Sequence, residues 1–238
     1  MNSRRVRIVG PGRAGTSLAR ALGDAGGWDV LPLLGRGDDV AGAAEGSDLV
    51  VVATPDGEIA SVARRIRPQD GTVVAHMSGS AGLDILAPHP RRASVHPLVA
   101  LPNPEIGAER LRGGWFALAG DPLGREVVEA LGGQAFTVED ADRVLYHAAA
   151  VIASNHLVAL LGQVERLAAS VGVPFEAYLD LVSATVDNVR ELGPRAALTG
   201  PAARGDEATI RRHLEALPAD ERDAYRALAE AARRLAAR

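Results

Sequence analysis

A short apolar run containing Val6, Ile8 and Val9 leads into Gly10-Pro-Gly12-Arg-Ala-Gly15, and an alanine- and leucine-rich segment of helical period comes directly after it. That order of strand, glycine turn and helix is what a dinucleotide-binding turn requires. Gly10 permits the tight turn off the strand, and Gly12 lets the backbone approach a pyrophosphate. Gly15 allows close packing of helix on strand, while the amides around Arg13 and Ala14 at the helix start face the phosphates. Glycine triplets are common in loops; the flanking strand and helix make this one specific, and it commits the chain to a parallel βαβ unit.

The second strand reads Trp28-Asp-Val-Leu-Pro-Leu-Leu34, and Gly35-Arg36-Gly37-Asp38 comes next. The residue that grips the adenine ribose is expected about 20 positions beyond the glycines. Arg36 lies 21 positions after Gly15, where an NAD site usually offers a carboxylate. A guanidinium suits a 2′-phosphate, so NADP is the favoured cofactor and NAD the weaker candidate. Asp38 competes for the ribose or caps the next helix, and a solvated loop arginine is the plain alternative for Arg36.

Asp48–Ala53 is a continuous apolar run, as in a parallel strand covered on both faces, and it ends in Thr54-Pro55 before a helix to about Arg67. Thr72–His76 is a strand ending in Met77-Ser78-Gly79, and a short strand at Ala93–Val95 ends in His96-Pro97. Trp115–Ala119 and Gln134–Val138 complete the sheet, with a helix over Pro122–Leu131 between them. In an open α/β sheet the ligand lies beyond the carboxyl ends of the strands. Gly10, Thr54, Pro55, His76, Ser78, Gly79 and His96 all belong to such ends.

After Glu139 the pattern becomes helical only: one segment over about 141–170, another to about Leu192, and two more near 206–217 and 219–237. The expected fold class is a Rossmann-like α/β N-terminal domain over 1–139, then an all-α domain over 140–238 for substrate binding and dimerisation. Composition fits a globular chain, and a net charge of −4 gives no support for a nucleic-acid or membrane partner. Zero cysteines exclude disulfides, thiolate catalysis and cysteine-based metal centres, and no metal-ligand pattern is expected elsewhere. All 26 basic residues are arginine, so no lysine is available as acid, base or Schiff-base former. No apolar run reads as long enough to span a bilayer, and the N-terminal arginines precede a strand rather than a signal core, which points to the cytoplasm.

Within the long helix, Val144, Ala148, Val151, Ile152 and Ala159 fall within about 60° of Asn155 on the wheel. An amide on an apolar face needs a partner, from a neighbouring element or from a ligand in the cleft. Histidines are the remaining acid–base candidates among six in the chain. His96 and His76 sit at strand ends, and His147 lies two turns before Asn155. The ranking is His96, His147, His76, each weighed against a histidine bonded into the fold. His89, in a Pro-His-Pro turn, reads as solvent-facing, His213 as part of a polar helix, and His156 as turned away from Asn155.

Gly10–Gly15, His76-x-Ser78-Gly79, Ser94-Val-His96-Pro97, Tyr146-His147-Ala-Ala…Asn155 and Leu198-Thr-Gly-Pro-x-x-Arg204-Gly-Asp206 together resemble one family. It is the Rossmann-like oxidoreductases whose helical C-terminal domain is similar to that of 6-phosphogluconate dehydrogenase, a family without a settled substrate. The resemblance spans essentially the whole chain and implies NADP-dependent redox chemistry on a small carbonyl or imine bearing a carboxylate. In the hydroxyacid branch of the wider group, a lysine one turn before the helix asparagine transfers the proton. Here that position is Val151, so the histidines are the remaining candidates for the role, with water or Tyr146 as the alternative. Ser78 and Gly79 are then candidates for touching substrate, and Arg204 for binding its carboxylate or stapling its own loop. Helical domains of this kind often pair, which implies a homodimer. A non-catalytic NADP-binding sensor is the alternative, and a deazaflavin a third option for the cofactor.

Overall fold

In the computed structural model, residues 3–237 are described. Two compact units divide the chain, Met1–Ser154 and Asn155–Arg238. The first is built on a seven-stranded sheet in the order β2-β1-β3-β4-β5-β6-β7. Its strands are β1 (Arg4–Val9), β2 (Trp28–Val30), β3 (Leu49–Val52), β4 (Val73–His76), β5 (Arg91–Pro97), β6 (Trp115–Gly120) and β7 (Gln134–Thr137). The first five are parallel, β6 is antiparallel to β5, and β7 is parallel to β6.

Every residue of β3 and β4 is buried, because helices cover both faces. Side chains alternate between them. Leu49 and Val51 pack with Leu18 and Leu22 of α1 (Arg13–Ala25), Leu111 of α3 (Pro104–Leu111) and Val127 of α4 (Leu123–Ala130). Val50 and Val52 pack with Ile59 and Val62 of α2 (Asp56–Arg65). Helix α3 occupies a stretch to which the sequence reading gives no element. Its start carries the usual signals all the same: Asn103 accepts from the Ile106 amide at 2.9 Å, and Pro104 supplies the first residue.

Helix α5 (Arg143–Val151) belongs to the sheet unit, so the division falls after Ser154 and inside the helical run, later than the change of sequence pattern at Glu139. The run expected as one α-helix carries a π-turn over Ile152–His156 before α6 (Leu157–Ser170). A π-turn shifts the phase of the wheel, so angles drawn across it to Asn155 do not hold. The second unit continues through α7 (Phe175–Ala197), kinked at Gly193-Pro194, then α8 (Pro201–Arg204), α9 (Glu207–Ala216) and α10 (Arg222–Ala237). Asp206 caps α9 by accepting from the Thr209 amide at 3.0 Å, and Glu221 accepts from Arg166 at 2.6 Å.

Two expectations are corrected. His89 is buried, 2% exposed, with Nε2 bonded to the Ala63 carbonyl at 2.9 Å; the flanking prolines mark a turn that lies against α2 rather than in solvent. Asp140–Ser170 is long and apolar enough, by length and a mean hydropathy of 1.6, to cross a bilayer. Short apolar runs separated by polar residues read as interrupted in sequence, but they add up along one continuous helix.

Candidate functional site

The glycine turn places the first half of the site. Gly10 has φ 110°, and a Cβ there would lie 2.7 Å from the Ala53 carbonyl oxygen. A Cβ on Gly15 would lie 2.1 Å from the Gly10 carbonyl oxygen, whereas nothing stands within 4 Å of one on Gly12. The turn is therefore packed shut toward the sheet and open on its outer side. The Thr16 amide bonds the Gly12 carbonyl at 2.9 Å, which leaves the amides of Arg13, Ala14 and Gly15 without helical partners. Beyond them a cavity of about 350 Å³ is lined by Gly10, Gly12, Arg36, Thr54, Pro55 and Arg65, among others.

The buried Thr54 Oγ1 has no partner among the described residues. Arg36 is exposed and pairs with Glu58 at 3.3 Å. Asp38 is occupied by its own turn, accepting from the Gly35 amide at 2.6 Å. Arg65 brings a second guanidinium to the cavity, one turn beyond Ser61 on α2, which the sequence pattern did not single out. Free amides, an orphaned hydroxyl and two guanidinium groups around an open cavity suit a dinucleotide whose ribose carries a phosphate. A larger cavity of about 410 Å³ lies at the opposite, amino ends of the strands. Its Ser47 and Thr72 hydroxyls are already spent on backbone carbonyls.

The second half gathers at the ends of β4 and β5 and on α5. His76 is fully buried, with Nδ1 accepting from the Ser78 amide at 3.2 Å and Nε2 bonded to the Gly82 carbonyl at 3.3 Å. Both ring nitrogens thus fix the turn. Burial, and then the Arg143 charge, push its pKa down to about 4. Ser78 Oγ donates to Asp56 at 2.6 Å and accepts from the amides of Ser80 and Ala81. Its hydroxyl therefore holds the loop.

Gly79 has a steric role. A Cβ there would stand 2.6 Å from His147 Cδ2 and 2.8 Å from His96 Nε2. Its missing side chain is the space in which those two rings sit, edge to face with centroids 5.9 Å apart. His96 Nδ1 is 2.7 Å from the Tyr146 hydroxyl. Burial first, then His147 and Arg143, lower the His96 pKa to about 4, while burial raises that of Tyr146 to about 12. At neutral pH the pair is a neutral imidazole against a protonated phenol.

Arg143, absent from the sequence-based candidates, lies at the base of this cluster. It is 0% exposed; Nε donates to Asp140 at 3.1 Å, and neither Nη1 nor Nη2 has a partner among the described residues. Asp140 Oδ2 in turn accepts from the Leu83 amide at 2.9 Å. The available signal was spacing: Arg143, Tyr146 and His147 stand at i, i+3 and i+4, on one face of α5. Asp56, also missed, is the carboxylate that anchors Ser78. So His76, Ser78, Gly79, His96 and His147 do come together, as expected. Asn155 and Arg204 belong to the helical unit, where both are exposed, Asn155 in the π-turn and Arg204 at the end of α8.

Comparison with known proteins gives two family-model matches, the second of which crosses the division after Ser154. Residues 36–102 match the model of a Rossmann-like domain, and residues 118–232 match a domain of unknown function, DUF2520. No curated protein matches the sequence. Among solved structures, a protein of Bacteroides fragilis described as a proposed NADP oxidoreductase superposes with a TM-score of 0.80 at 21% identity, covering 98% of each chain. A protein of Thermotoga maritima gives 0.72 at 23% identity, over 97% of this chain and 98% of that one. Pyrroline carboxylate reductase of Plasmodium falciparum, with NADP bound, gives 0.63 at 13% identity over 99% of each. At such identities the likeness establishes the fold. The chain thus has the fold of these Rossmann-like structures and matches the DUF2520 model over part of its length.

Proposed function

We propose that this protein is an NADP-dependent oxidoreductase that moves a hydride to or from a small carbonyl or imine substrate bearing a carboxylate. The observation that carries the reading is the His96–Tyr146 couple, 2.7 Å apart and backed by Gly79, in the unit that also holds the open glycine turn. The reductases among the structural neighbours support the same class.

In this reading the amides of Arg13, Ala14 and Gly15 hold the pyrophosphate, with Thr54 and Pro55 walling the cavity, and Arg36 with Arg65 takes the 2′-phosphate. When bound, the nicotinamide supplies or accepts the hydride. The protein handles the proton. In reduction the Tyr146–His96 couple gives one proton to the substrate oxygen or nitrogen and is refilled from solvent. In oxidation neutral His96 receives that proton. No lysine is needed. His147 shapes the pocket beside His96, while His76 and Ser78 hold the turn.

A homodimer through the helical unit belongs to the same proposal. Val158 and Leu181 are 70% and 62% exposed, and large apolar side chains left in water call for a partner of like surface.

The test is to incubate the full chain with NADPH and pooled 2-oxo acids and cyclic imines and to follow nicotinamide absorbance. Turnover supports an enzyme; tight NADPH binding without turnover of any pool assigns the chain to cofactor sensing.

A further inference from the structure

We infer that Arg143 binds the carboxylate of the substrate, a role that rests on the oxidoreductase reading and that sequence alone had offered to Arg204. Arg143 is a complete guanidinium sealed in the fold, and only its Nε is engaged, by Asp140 at 3.1 Å. Nη1 and Nη2 are both buried and unpartnered, and so is the hydroxyl of Ser94, the residue in register with His76 on the neighbouring strand. Two parallel N–H donors without an acceptor are the half of a bidentate pair that a carboxylate completes.

The surrounding charges point the same way. His76 and His96 are neutral at pH 7, so neither competes with Arg143 for an anion. Asp56 is taken by the hydroxyls of Ser78 and Ser80. Asp140 is 46% exposed and shares its other oxygen with the Leu83 amide. Asp140 engages Nε alone, so the two terminal nitrogens are left to donate to one further acceptor. Arg143 lies one turn before His147 and three residues before Tyr146. A carboxylate held there keeps the rest of a short substrate beside the proton couple.

A buried charge kept for a ligand leaves a signature that a structural arginine does not. Replacing a structural buried arginine destabilises the fold. Replacing one whose two terminal nitrogens lack acceptors by an apolar residue of similar length relieves the fold and abolishes binding.

The experiment titrates the full chain, with and without NADP, against 2-oxobutanoate and its neutral methyl ester by calorimetry, alongside thermal unfolding. Wild type should bind the acid at least about tenfold tighter than the ester, as expected for a charge-assisted pair. Arg143→Met should lose that preference, unfold at a higher temperature and keep its NADP affinity. Arg143→Lys, which retains the charge without the two parallel donors, should keep part of the preference, and it carries the test if Arg143→Met does not fold. The inference is overturned if wild type binds acid and ester alike or binds neither. It is also overturned if Arg143→Met unfolds earlier yet still prefers the acid, or if Arg204→Gln removes the preference instead. The NADP titration separates the two readings. Acid preference without NADP binding leaves this assignment standing and removes the proposed function. NADP binding without acid preference does the reverse.

Discussion

Tyr146 and His96 meet with the phenol oxygen 2.7 Å from Nδ1, the rings edge to face at 86°. The bond leaves Nε2 of His96 beside Gly79 and ties a residue at a strand end to the middle of α5. A positioned acid or base contributes about 10²–10⁴-fold. His96→Asn should lower kcat at least tenfold with NADP affinity nearly intact, and Tyr146→Phe should do the same. Wild-type kcat in both variants would move the proton step away from this couple.

The low pKa of these rings also predicts the acid sensitivity of the fold. His76 and His96 stay neutral down to about 4 in the folded chain but take up protons near 6.5 once unfolded. Between those values the unfolded state binds more protons, so stability rises with pH. It is complete above about 6.5 and falls as pH drops toward 4, by at most about 1.4 kcal/mol per pH unit for each ring. Urea midpoints at several pH values should show that slope, and it should be shallower in His96→Asn.

Cofactor choice should depend on Arg36. Arg36→Asp should weaken NADP by about 1–3 kcal/mol and leave NAD equal or better. Equal losses of both in a nucleotide titration would assign Arg36 to its ion pair with Glu58 alone.

Gly79→Ala inserts a carbon less than 3 Å from both His96 and His147. The rings must shift, and a displacement of that order can cost about 10²-fold. kcat should fall while NADP affinity stays, since the glycine turn is untouched. An unchanged kcat would show that neither ring takes part.

In sedimentation velocity, wild type should run as a dimer and Leu181→Glu as a monomer, because a carboxylate would be desolvated in the proposed pairing surface. A wild-type monomer at micromolar concentration removes the dimer.

Much of the fold and half of the site are legible in the sequence for local reasons. The glycine turn lies between a strand and a helix that announce themselves by periodicity, and His76 and His96 come directly after apolar strands. What escapes depends on distant chain. Arg143, after Asp140 and Asp142, reads as a solvated helix start; it is buried because the loop at Gly82–Leu83 reaches Asp140. Asn103-Pro104 carries a helix-start signal that the sequence reading leaves unassigned. The π-turn has no signature in composition, so Asn155 cannot be placed by counting from His147.

The division after Ser154 has one more consequence. The glycine turn, the imidazoles, Tyr146 and Arg143 all precede it, so the chemistry travels as a single stretch of chain. A chimera cut where the sequence pattern changes, at Glu139, would separate His96 from Tyr146 and Arg143. One cut after Ser154 would carry the whole proton-handling cluster into a new host, leaving the helical half to be exchanged among relatives.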